Sequence, residues 1–271
     1  MKYKRLVVFI FCLLFPFMGL AQGSSNIKQD TDIDRILNLV PVKQTLGELP
    51  KDLKEQFSQN PFRISAAKND QLLKLFGEAY QADSLFKFAR ESFKENFDAN
   101  YTDSVLTTLE SDMIKPILNS KAEFYTIQGI RKQIITKYEL EQDQPSEERI
   151  SIIKDLIEHS SAKESALKSQ TILFRSLVVG TDAISSKLNL NETQINSIVD
   201  NFNSRLQMQL EDELINNYLV TYHKIPNNRI KKYTNFYATQ AGTEYKESLN
   251  DAVHTAFQKA SDQLISNIES L

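Results

Sequence analysis

The chain has 271 residues, 32 of them Lys or Arg against 35 Asp or Glu, and 41% of it is apolar. A formal charge of −3 supplies no general attraction to nucleic acid or anionic lipid. Seven glycines, seven prolines and one cysteine exclude a turn-rich β domain and a disulfide framework.

Lys2, Lys4 and Arg5 open the chain, an uncharged run follows from Leu6 to Leu20, and Gly19-Leu20-Ala21 offers small residues for a peptidase. This is the pattern of a secretory leader over residues 1–21. A spanning helix needs about 20 apolar residues, and Pro16 and Gly19 interrupt a shorter run. No transmembrane segment is therefore expected after cleavage. Cys12 lies inside the apolar run and not at the cleavage point, which argues against a lipid anchor. Its loss leaves no cysteine, so thiol catalysis, thiol redox chemistry and Cys-ligated zinc are excluded. The leader takes three bases and no acid, so the mature 250 residues carry 29 bases against 35 acids, a balance of −6. Export to the periplasm or the medium is the expectation.

From there the spacing predicts helices around 33–40, 42–58, 68–80, 83–97, 103–137, 147–158 and 160–186. Pro41, Pro50, Pro61 and Pro145 fall at or near helix ends, where a missing N–H costs little. Pro116 sits inside a helical pattern and should kink or split it. A long helix follows, with Ile195, Val199, Phe202, Leu206, Leu210, Leu214, Tyr218 and Tyr222 on one stripe. Asn191 and Gln194 form a capping-box pattern at its start, and Pro226 ends it. A last helix carries Tyr245, Leu249, Ala252, Val253, Ala256, Phe257, Ala260, Leu264 and Ile268. The fold class is all-α, built from pairs of antiparallel helices in two related bundles.

The stretch 139–148 (ELEQDQPSEE) has no base and one proline, and reads as an acidic linker between an N-terminal half, 22–138, and a C-terminal half, 149–271. The halves look alike. Leu85, Ala89, Phe93, Phe97 and Val105 have counterparts 125 positions on, at Leu210, Leu214, Tyr218, Tyr222 and Ile230. Ile36, Leu39 and Val40 match Ile153, Leu156 and Ile157 at a spacing of 117. An internal duplication is the expectation.

Residues 222–249 read YHKIPNNRIKKYTNFYATQAGTEYKESL. A helix after Pro226, then Phe236-Tyr237, Thr239 and Gly242, resembles a family of secreted bacterial helical proteins catalogued as a domain of unknown function. Ile153–Leu167 is similar to that family's opening helix. Where the family has its glycine, the first half has Ile114 or a neighbour. The resemblance implies an exported α-helical domain, and it implies no reaction and no ligand.

Little in the chain points to chemistry. His159, His223 and His254 are the histidines, and Asp251 with His254 is the one pair three residues apart on a helix. A metal needs further ligands, and none has the spacing, so no metal and no cofactor is expected. Glu211, Asp212 and Glu213 fan out around a helix and do not converge. No nucleophile elbow, phosphate loop or zinc-protease helix occurs, so no catalytic residue is assigned. Lys224, Arg229, Lys231 and Lys232, with Tyr233 among them, form the densest basic cluster, and turns carry binding residues more often than packed faces. These five mark the expected binding surface, for an anionic partner and not for nucleic acid. Sixteen Phe and ten Tyr could fill a core or line a slot for an apolar ligand. The sequence thus leads to an exported, non-enzymatic protein binding an envelope protein or a small apolar ligand. The alternative is a hydrolase whose carboxylates meet only in the fold.

Overall fold

A computed structural model describes residues 25–185 and 188–271, with side chains from Asp30 onward. The leader expected at residues 1–21 lies outside them. The described residues form twelve α-helices and one 3-10 turn, with no strand among them. In order these are α1 (Ser25–Leu39), α2 (Val42–Phe57), α3 (Ala66–Ala79), α4 (Ala82–Asn96), α5 (Thr102–Leu109), α6 (Lys115–Phe124) and α7 (Ile127–Gln142). Then come α8 (Glu147–His159), α9 (Ala162–Ile184), α10 (Glu192–Thr221), α11 (Asn227–Tyr237) and α12 (Gln240–Glu269). The protein is all-α.

Local chemistry explains several of the ends. At α10 the capping box is complete: Gln194 N–H donates to Asn191 Oδ1 at 3.0 Å and Asn191 N–H to Gln194 Oε1 at 2.9 Å. Two groups that would otherwise lack partners are satisfied by each other's residue. Segment 103–137, expected as one helical pattern kinked or split at Pro116, is three helices, the second break falling at Thr126. Pro116 occupies the first turn of α6, where no intrahelical N–H bond is lost, and Thr126 caps α7 by accepting from Gly129 N–H at 2.9 Å. Pro50 departs from its expected place too, for it lies buried inside α2. The acidic stretch is mostly helical: α7 runs to Gln142, and residues 143–146 alone connect it to α8, whose first amides are capped by Ser146.

The helices share one core. α12 packs most extensively on α4 and on α9, so it joins elements from both parts of the chain. α8 lies on α10 and α11, much as α1 lies on α4 and α5. One continuous cluster runs from Ile33 to Ile268, with a small satellite of Val178, Ile195 and Val199. The paired stripes all reach this core, from Leu85 and Leu210 through Phe97 and Tyr222 to Val105 and Ile230. Two boundaries repeat at the same 125-residue spacing: the C-caps Phe97 and Tyr222, and the starts Thr102 and Asn227.

Candidate functional site

The turn around Pro226 is pinned and not free. Arg149, from α8, donates to the carbonyls of Tyr222 and Ile225 and to Asn227 Oδ1, the last two at 2.8 and 2.7 Å. Burial lowers the Arg149 pKa, because its charge is partly withdrawn from water. Arg229 donates to the Asp112 carbonyl at 2.5 Å and to that of Met113 at 3.4 Å, closing the turn before α6. Lys231 pairs with Glu148 at 3.0 Å. Lys224 and Lys232 are exposed.

The expected basic surface is therefore divided. Arg229 and Lys231 are engaged by the protein itself. Tyr233 is a correction, since it lies on the inner side of α11 with 1% exposure. A stripe at helical spacing takes it into the core with Ile230, Phe236 and Tyr237.

Tyr233 belongs to a buried polar cluster that no local pattern announces. Its hydroxyl accepts from Tyr237 Oη at 2.6 Å and from Lys121 Nζ at 3.4 Å. Lys121, from α6, is 7% exposed, and its ammonium stands 4.9 Å from the Tyr233 ring centroid and 6.0 Å from that of Tyr222. Beside it lies a 60 Å³ cavity walled by Tyr218, Tyr237 and Tyr245 at the first turn of α9. Burial pushes the Tyr245 hydroxyl well above its ordinary pKa, so it is a neutral donor.

The histidines and carboxylates do not converge. His254 is buried, with Nε2 placed to donate to the Ser165 carbonyl at 3.2 Å, and burial lowers its pKa to about 4. Asp251 is exposed beside Lys168 at 3.9 Å, whereas His254 is buried. Among the described residues no group of three or more His, Cys, Asp or Glu could hold a metal ion. His223 faces Glu139 at 3.4 Å on the wall of a 220 Å³ groove between α7 and the end of α10. His159 bonds only its own helix, through the Asp155 carbonyl. Glu211 pairs with Lys163 at 2.6 Å, which lowers the Glu211 pKa.

The clearest anomaly is α7. Ile127, Ile130, Ile134, Ile135 and Tyr138 are 74%, 53%, 67%, 58% and 64% exposed, five of the seven large exposed apolar residues among those described. Its buried positions are Gly129, Gln133 and Thr136. The helix is mounted by its polar side. Gln133 Nε2 donates to the Phe124 carbonyl at 2.6 Å, and a Cβ at Gly129 would stand 1.8 Å from the Glu123 carbonyl oxygen. Only glycine permits that approach. Gly242 makes the same approach to Phe236, and Thr239 caps α12 as Thr126 caps α7. The first part of the chain thus has its own Thr-x-x-Gly turn, at Gly129 and not near Ile114.

The apolar side of α7 faces outward along roughly 16 Å of helix. Monomers expose apolar patches of a few hundred Å², and five such side chains amount to on the order of 500 Å² by transfer-area reckoning. No family model, curated protein or solved structure matches the chain. Among the described residues no helix is long and apolar enough to cross a membrane.

Proposed function

We propose that this is an exported, non-enzymatic binding protein of the cell envelope, and that the outward face of α7 is where it holds a partner protein. The exposed isoleucine stripe carries the reading. A polar-side mounting leaves apolar surface in water at a cost, which a covering partner removes. A protein fits better than a small apolar ligand, because Ile127, Ile130, Ile134 and Tyr138 stand on a convex helix, and Ile135 alone of the stripe lines the groove beside it. Charge beside the stripe describes the partner: exposed Arg131 stands near its start and exposed Glu141 near its end. The complement is an apolar helix with acids beside Arg131 and bases beside Glu141. Export rests on the leader pattern, and descent of the two halves from one unit rests on boundaries repeating every 125 residues.

A photo-crosslinking residue at position 134, in cells secreting the protein, tests this. One partner should be captured at 134 and not at 232. The double variant Ile127→Lys, Ile130→Lys should abolish capture at 134 with an unchanged melting temperature, and Arg131→Glu should weaken it. No capture at 134, or capture indifferent to both variants, would overturn the proposal.

A further inference from the structure

The cavity at the start of α9 belongs to neither α7 nor the Pro226 turn. Its lining includes Lys121, Lys246, Ser160, Ala162, Ser165 and Asn250, and no carboxylate. Lys121 is more than nine-tenths buried, and its contacts are one long bond to Tyr233 and two tyrosine rings. An ammonium so placed lacks the counter-charge that buried cations ordinarily have.

The helix end supplies the second half of the argument. Ser161, the N-cap of α9, is left-handed at φ 52 and makes no side-chain cap bond. The first-turn amides therefore lack the usual acceptor, at the positive end of a 23-residue dipole. Lys163 is turned to Glu211, and Glu164 is exposed and outside the lining. Ser165 Oγ and Asn250 Oδ1 bond each other at 3.0 Å, which holds the wall in place. Uncapped amides, a buried cation and a second lysine around a cavity that could hold a few waters make a receptor for negative charge.

We propose that this cavity binds a small oxyanion of phosphate size, with Lys121 and Lys246 as counter-charges and the α9 amides as donors. The site is independent of the α7 face. It would tie α6 to α9 and α12 when filled.

The test is isothermal titration of the full mature chain with inorganic phosphate, against sodium chloride at equal ionic strength, with short-chain phosphatidic acid as a second arm. Saturable one-to-one binding is expected, at least tenfold weaker in Lys121→Met, weaker in Lys246→Gln and unchanged in Lys232→Gln. Tighter binding of phosphate assigns the site to the free ion, and tighter binding of phosphatidic acid to a headgroup entering the open side. Phosphate also stabilises proteins by exclusion from their surfaces, so a non-saturating effect equal in wild type and Lys121→Met would overturn the proposal. Absence of binding by both probes would do the same. Should Lys121→Met fail to fold, an undiminished affinity in Lys246→Gln overturns the proposal.

Discussion

His254 should make the protein acid-labile over a defined window. The unfolded chain takes up this proton near pH 6.5 and the folded chain only near pH 4, because the imidazole is buried against Ser165. Between those values the unfolded state holds more protons, so stability rises with pH. The contribution is present above about pH 6.5 and is lost as the pH falls toward 4. Two and a half units correspond to roughly 3 kcal/mol in full, of which about 2 should disappear between pH 7 and 4.5. His254→Gln keeps a donor for the Ser165 carbonyl and removes the titration. Urea unfolding of both proteins across this range gives the difference directly. Other groups, Asp52 among them, are common to both proteins and cancel. Parallel stability profiles for wild type and variant would refute the reasoning.

Four further outcomes follow from the same geometry. Gly242→Ala should cost on the order of 4 kcal/mol or prevent folding, since its Cβ would meet the Phe236 carbonyl oxygen at 1.8 Å, and thermal melts or expression yield will show it. Asp52, whose pKa burial raises to about 6 with help from Glu48, favours the folded state less as the pH climbs from 4 to 6. Asp52→Asn should therefore raise stability at pH 7 by about 1 kcal/mol and leave it unchanged at pH 3.5. Arg229→Gln should lower stability by about 1 to 2 kcal/mol by freeing the carbonyls of Asp112 and Met113. Lys232→Gln, by contrast, should stay within about 0.5 kcal/mol in a denaturant titration.

By itself the sequence determined the helices, because helix formation is local. Stripes at three- and four-residue spacing, scarce glycine and proline, and the Asn191–Gln194 cap are readable without any partner, and the α10 and α12 stripes went where their spacing said. Breaks that depend on close approach were harder. The turn at Thr126 and Gly129 requires a backbone carbonyl six residues back, so within 103–137 a break was expected at Pro116 and not at Thr126. Periodicity also shows which face of a helix is apolar without showing whether anything covers it. That the α7 isoleucines face outward was decided only when the fold seated that helix on Gly129, Gln133 and Thr136. The same limit hid how the basic surface is divided, since adjacent cations on a turn carry no mark of the carbonyls of Asp112 and Met113 that Arg229 closes, or of the Glu148 that pairs with Lys231. Lys121 and Tyr233 are 112 residues apart and meet only when α6 and α11 pack. Contacts of that range are set by the sum of all the packing, and only the tertiary structure decides them.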